Sequence, residues 1–238
     1  MSVQLRAGQF AAGQLGGYWT PQSTPKLKLW LNADLGVMLN GSDWNAWADQ
    51  SGHGFDVVQG TASKQPADST LSNGKRAGLW DGVNTILKTT GGDVIDPGDW
   101  TFAAVVEPDI TQPHSHLIDS SGAGGRLVMG VDANANKVAH YDGAWREYGA
   151  SAGGLQAITW QLIVGAGATG YRDGAVIGTN SYPAVKGLGS SLSIGGDVST
   201  GAGLYKGLVR EIIAFSPALT TQQLQNLFAY QRRNSGTP

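Results

Sequence analysis

Cysteine is absent from the 238 residues, which removes disulfide scaffolding, thiol nucleophiles and Cys-ligated zinc. Glutamate is nearly absent, occurring only at Glu107, Glu147 and Glu211. Charge is scarce, at 14% against the usual quarter, and the 18 acidic and 16 basic residues leave a net charge of −2. A sequence-independent nucleic-acid binder neutralises phosphates with a basic surface, and this composition supplies none. No apolar run nears the ~20 residues of a transmembrane helix, and no basic start followed by an apolar stretch marks a signal peptide. The expectation is a soluble protein made in a cytoplasm, without nucleic-acid or membrane partners.

Glycine is abundant instead, with 36 residues, alongside 8 Trp and 7 Tyr. Few helix formers and many turn formers favour strands. From Lys26 onward the pattern is β. Leu27, Leu29 and Leu31 alternate with Lys28 and Trp30, the period of a half-buried strand. Further strands are predicted at 55–59, 85–89, 101–107, 117–120, 126–131, 138–141, 158–165, 169–172, 175–178, 192–195 and 204–215. Asn40-Gly41, Asn73-Gly74, Asp81-Gly82, Asp142-Gly143 and Asp173-Gly174 punctuate them as hairpin turns. Near the end, Thr220 or Thr221 caps a helix expected over 221–232, with Leu224, Leu227 and Phe228 on its docking face and Arg232 and Arg233 at its C-terminal dipole. The predicted fold class is all-β, a two-sheet antiparallel jelly-roll sandwich spanning about 26–215 and closed by one C-terminal helix.

Residues 1–25 differ. Four glycines and lone bulky apolars (Phe10, Leu15, Tyr18 and Trp19) follow no period before Pro21 and Pro25 close the segment. They read as an extended N-terminal arm preceding a domain over 26–238. The arm is either frayed or ordered by docking on a partner through those four side chains.

Three stretches carry a family resemblance. The first is Leu29-Trp30-Leu31-Asn32-Ala33-Asp34, with Trp47-Ala48-Asp49-Gln50-Ser51-Gly52 and Asp56 after it. The second is Tyr171-Arg172-Asp173-Gly174, followed by Leu192-Ser193-Ile194-Gly195-Gly196. The third runs from Tyr205-Lys206-Gly207 through Arg210-Glu211-Ile212-Ile213-Ala214-Phe215 to Leu219 and the capped helix. Over about 26–234 the chain resembles the laminin-G-like branch of the concanavalin A-like lectin/glucanase jelly rolls, of the kind found in phage structural and bacterial surface proteins. The resemblance implies a fold more firmly than a function, because such folds host unrelated sites. It also implies calcium as a cofactor to consider, held at a sandwich rim with Asp119 and Asp132 as candidate ligands.

Glycoside hydrolysis usually needs two carboxylates flanking the scissile bond. The related glucanases set theirs on one strand face as Glu-x-Asp-x-Glu, and this chain has no such run. Glu211 is the only Glu in a strong strand, where its same-face neighbours are Val209 and Ile213, and it reads as a structural acceptor. Asp93, Asp96 and Asp99 fall in a Gly/Pro-rich loop. Asp132-Ala133-Asn134-Ala135-Asn136 lacks the Gly and Glu of an EF-hand and reads as a turn. His114 and His116 are spaced to share a strand face but follow Pro113 and read as solvated. Gly122-Ala123-Gly124-Gly125 has no Lys-Ser/Thr after it, so it is no P-loop.

Aromatics beside turns remain. Sugars stack on exposed rings and pair their hydroxyls with polar neighbours, a mixture typical of ligand sites. Trp30, Trp80 and Trp160 sit in apolar contexts and read as core. Trp44, Trp145 and Tyr148 lie near Asp43, Asn45, Asp142 and Arg146. They form either a glycan platform, with Trp44, Asp142, Trp145, Arg146 and Tyr148 as its ligand-binding set, or caps on the sandwich ends. The functional expectation is a non-enzymatic virion structural module, either capsid decoration or a tail or fibre component. It has an attachment arm for other virion proteins or oligomer contacts, and it can bind a host-surface glycan. The alternatives are a secreted or surface carbohydrate-binding module, which would place the protein outside the cell, and a glycoside hydrolase, which the missing carboxylate run disfavours.

Overall fold

A computed structural model describes residues 18–89, 91, 93–94, 97–111, 115–120, 127–132, 137–150, 153–182, 192–197 and 203–238. In chain order the strands are β1 (Leu27–Asn32), β2 (Val37–Asn40), β3 (Asp43–Trp47), β4 (Val57–Val58), β5 (Ala67–Thr70), β6 (Arg76–Asp81), β7 (Leu87–Thr89), β8 (Trp100–Pro108) and β9 (Ser115–Ser120). They continue as β10 (Leu127–Asp132), β11 (Lys137–Tyr141), β12 (Trp145–Ala150), β13 (Gln156–Ile163), β14 (Gly167–Arg172), β15 (Ala175–Asn180), β16 (Ser193–Ile194) and β17 (Lys206–Phe215), and the helix α1 (Thr221–Ser235) follows. The protein is therefore all-β with one C-terminal helix, as the alternation and turn dipeptides imply.

Every ladder between these strands is antiparallel. One half of the fold runs β12-β11-β10-β9-β16-β7-β4-β3, with β2 on the far side of β3. The other half runs β5-β6-β17-β8-β13-β14-β15, and β1 shares the β6 edge of β17. The expected two separate sheets are not what forms. The pair Asp43↔Ala67 carries the ladder from β3 into β5, so the halves join as one curled sheet. The curl nearly closes, because Asn180 Nδ2 of β15 donates to the Glu147 carbonyl of β12 at 2.7 Å. Folding one sheet over itself still gives both halves a shared interior. Trp44, Trp47, Ile118 and Met129 from one part meet Leu29, Trp80, Phe102, Trp160 and Ile212 from the other in a single apolar core.

The back of β1 and β17 is covered by α1. Leu27, Trp30, Ile213 and Phe215 pack against Leu224, Leu227, Phe228 and Tyr230. Thr220 caps the helix: its side chain accepts from Gln223 N at 3.3 Å, and the Gln223 side chain returns to Thr220 N at 3.0 Å. At the other end Gly236 takes the left-handed conformation of a C-terminal cap, so the helix runs past residue 232.

Residues 18–25, the described part of the expected arm, lie against the domain, with Pro21 and Thr24 buried. Trp19 packs on Phe215 and Tyr230 with ring centroids 6.4 and 6.0 Å away. Arg233 lies over the Tyr18 ring at 4.7 Å and donates to the Trp19 carbonyl at 3.1 Å. Tyr18 and Trp19 thus contact the domain's own C-terminal helix, and Tyr18 stays 68% exposed. Phe10 and Leu15 lie outside the described residues.

Candidate functional site

The Asp142-Gly143 turn joins β11 to β12, and the register pairs Tyr141 with Trp145 and His140 with Arg146. Gly143 adopts φ +117°, a conformation that side chains rarely take. Because strand side chains alternate, Tyr141 and Trp145 project to one face of the hairpin while His140, Arg146 and Tyr148 project to the other.

The second face is the interior one. Tyr148 Oη and His140 Nδ1 are 2.7 Å apart, and His140 Nε2 stands 3.7 Å from Asp142 Oδ2. Asp142 Oδ1 accepts from Arg146 Nε at 3.3 Å and from Ala144 N at 3.4 Å. Burial disfavours the charged imidazole and pushes His140 down to about 4, only partly opposed by the Asp142 charge. Burial likewise pushes the Tyr148 phenol well above its ordinary value. At this rim Arg146 is the half-exposed member of an otherwise buried Tyr–His–Asp chain.

The first face is aromatic. Trp145 is the one exposed indole among the eight tryptophans, at 36%. Its ring stands edge-on to Tyr141 at 5.5 Å and tilted against His116 at 5.7 Å. His116 Nδ1 bonds Asp119 Oδ2 at 3.0 Å, which fixes the imidazole behind the indole. The His116 amide donates to the Gly203 carbonyl at 2.7 Å, and Gly203 packs so close to the same ring that a Cβ there would clash with it.

The five residues expected to make the platform therefore separate. Trp44 is fully buried in β3, edge-on to Trp47 and Trp80, and donates through Nε1 to Asp68 at 2.8 Å; its ring belongs to the core and reaches no ligand. Tyr148 and the Asp142 carboxylate are also buried, so they act beneath the surface. Only Trp145 and Arg146 reach solvent appreciably, from opposite faces of one rim. Tyr141, His140 and His116 were not singled out as members of this cluster. Reading the hairpin register outward from Asp142-Gly143 places Tyr141 beside Trp145 and His140 beside Arg146.

The remaining candidates are dispersed. His116 is buried beside Asp119 rather than solvated, and His114 lies outside the described residues. Asp132 belongs to β10, but its carboxylate lies outside the described residues, as does Asp96. Among the described residues no three His, Asp or Glu side chains converge on a metal position. Asp99 accepts from Val164 N at 2.7 Å, and Glu107 accepts from Ser72 N at 2.8 Å. Glu147 is paired with Lys137 at 2.5 Å. Glu211 is fully buried and takes Trp30 Nε1, Asn32 Nδ2 and the Tyr230 hydroxyl on one oxygen.

Comparison with known proteins follows the same lines. A laminin-G-type family model, described as the concanavalin A-like lectin/glucanases superfamily, matches residues 81–225. No curated protein sequence matches the chain significantly. Among solved structures, domain 4 of AbnA, a GH43 extracellular arabinanase from Geobacillus stearothermophilus in complex with arabinotriose, superposes with a TM-score of 0.61 at 17% identity, covering 85% of this chain and 98% of that one. Trypanosoma rangeli sialidase in complex with sialic acid gives 0.59 at 18%, covering 87% of this chain and 33% of the sialidase. Botulinum neurotoxin type C, whose cell entry depends on two ganglioside molecules, gives 0.53 at 12%, covering 86% and 51%. At these identities the likeness is one of fold.

Proposed function

The chain belongs to the concanavalin A-like lectin/glucanase superfamily, and from that premise we propose that it is a non-catalytic carbohydrate-binding module whose contact surface is the β11–β12 hairpin. The observation that carries this reading is Trp145. Seven of the eight tryptophans are wholly or largely covered, while this one stands at a rim, buttressed by Tyr141 and by an imidazole that Asp119 holds in place. An indole backed by Tyr141 and His116 and 36% exposed at a rim offers surface to the C–H face of a sugar ring. The structural relatives named with arabinotriose, sialic acid and gangliosides support a glycan as the ligand class.

The non-catalytic part of the reading rests on the carboxylates. All three Glu side chains are engaged in structural contacts, and the one in the strongest strand is sealed beneath α1. A virion setting, with the arm docking to a capsid or tail protein or to a second copy, rests on the sequence alone, and a mass-spectrometric inventory of purified particles tests it. Repeating the glycan assay in calcium and in a chelator tests Asp119 and Asp132 as a calcium pair.

The central experiment is a glycan array followed by calorimetry on the best binder. Trp145→Ala should weaken binding at least tenfold in protein that stays folded at the assay temperature, with some loss of melting temperature because the covered part of the indole goes too. Wild-type protein that binds no glycan, or Trp145→Ala that binds as well as wild type, overturns the reading. Release of reducing sugar from a bound polysaccharide overturns its non-catalytic part.

A further inference from the structure

We infer that Arg146 makes the β11–β12 rim selective for glycans bearing a carboxylate, an inference that rests on the carbohydrate-binding reading of the same hairpin. The guanidinium is anchored at one end only. Its Nε donates to Asp142 Oδ1 at 3.3 Å, and that carboxylate, 1% exposed, is itself held by Ala144 N. Directly across the ladder lies His140, which is fully buried and linked to Tyr148, so the stem rests on a filled interior. The Nη1 and Nη2 edge has no acceptor among the described residues, and the side chain is 27% exposed. The other cation of the hairpin, Lys137, is spent on Glu147 at 2.5 Å. Arg146 is thus the hairpin cation with unspent donors.

An arginine fixed through Nε presents its two Nη groups as a preset fork. Two parallel N–H donors match the two oxygens of a carboxylate, whereas a sugar hydroxyl satisfies one of them. Asp142 balances the formal charge, so discrimination arises at short range from the fork rather than from a long-range field. The fork and the stacking residue lie on opposite faces of the hairpin, joined across its tip. Trp145 and Arg146 are the first two residues after the turn, about 3.8 Å apart at Cα, and they emerge on the two sides of its tip. An oligosaccharide that stacks on Trp145 and spans the tip can present a further ring to Arg146. Hexuronates and sialic-acid-type sugars share the required carboxylate.

Calorimetry with matched probes tests this. One pair is an oligogalacturonate and the same oligosaccharide with its carboxylates reduced to alcohols. The other pair is sialyllactose and lactose, so the two arms distinguish the sources of the acid. The wild type should bind the acidic member of at least one pair tenfold or more tightly. Arg146→Gln should erase that preference, so that the acidic and neutral members bind alike. Arg146→Lys keeps the charge without the fork and should also lose the preference. Equal wild-type affinity for both members of both pairs overturns the inference while leaving the module reading intact. Full preference in Arg146→Lys overturns the role of the fork. Binding of no glycan overturns the module and this inference together. The wild-type comparison needs no variant to fold.

Discussion

The hydroxyl of Tyr230 donates to Glu211 Oε1 at 2.5 Å and ties the C-terminal helix to the last strand. The same oxygen accepts from Trp30 Nε1 at 2.8 Å and from Asn32 Nδ2 at 2.9 Å, so one carboxylate joins β1, β17 and α1. Burial outweighs these donors and holds the Glu211 carboxyl above its ordinary 4.5. Glu211→Ala leaves three buried donors unmet and should cost about 3–5 kcal/mol in urea unfolding. Glu211→Gln keeps an acceptor oxygen, should cost less, and should leave glycan affinity within a few fold. The folded protein holds this proton more tightly than the unfolded chain. The contribution of Glu211 is therefore fully present below pH 4.5 and is lost as pH rises through the folded value. Glu211→Gln should lack that loss; identical pH profiles in the two proteins would contradict the assignment.

His140 titrates in the opposite sense. Its folded pKa of about 4 lies below the ordinary 6.5, so between those values the unfolded chain binds the extra proton. Stability should fall as pH drops from 6.5 to 4 and level off below, by up to roughly 3 kcal/mol from this group. His140→Gln should flatten that portion of the profile. Equal slopes in wild type and variant, measured by urea denaturation across the window, would show that another group is responsible.

Gly203→Ala tests how Trp145 is supported. A Cβ at this position, where φ is +61°, would stand 2.4–2.5 Å from three atoms of the His116 ring. The imidazole must then leave its place behind the indole. The expected result is a stability loss of about 1–3 kcal/mol together with weaker glycan binding. Unchanged stability would mean that the Gly203 backbone does not cover His116.

Asp49 organises the loop between β3 and β4. Its carboxylate accepts from Trp30 N at 3.0 Å, Ser51 N at 2.9 Å, Ser51 Oγ at 2.6 Å and Phe55 N at 3.1 Å. Asp49→Ala removes all four acceptor contacts and should cost about 2–4 kcal/mol, and Asp49→Asn should cost less because one oxygen survives. A melting temperature unchanged in Asp49→Ala would show that the loop is held by other contacts.

Much of the fold was legible because it is written in local pattern. Leu27, Leu29 and Leu31 are buried as their alternation requires, and Thr220 and Gln223 cap the helix where the sequence places a start. Trp30 is buried too, because α1 covers the face that a single strand leaves open. The β2–β3 hairpin was foreseen only as the Asn40-Gly41 turn. Trp44, Ala46 and Trp47 are all buried there, so β3 shows no clean alternation. Trp44 was misread for the same reason: its hydrogen-bond partner, Asp68, lies 24 residues away and no local spacing announces it. Asp142 and Tyr148 look like surface residues by chemistry, yet Arg146 and His140 provide the contacts that hold them inside. Which face of a hairpin is inner depends on what packs beneath it, and that is settled by distant strands.

The pairing of β1 with β17 has a consequence for synthesis. Leu27 lies opposite Phe215, and Trp30 reaches Glu211 across 181 residues, so the first strand finds its ladder partner only when the last one exists. On a ribosome, β1 must wait with its leucines uncovered until nearly the whole chain has emerged. Such non-local closure is slow and leaves an unpaired apolar edge in the interim. The domain should complete its fold only once β17 has emerged. Nascent chains stalled before residue 206 should be captured by chaperones and cut readily by protease near β1, whereas chains released past α1 should resist both.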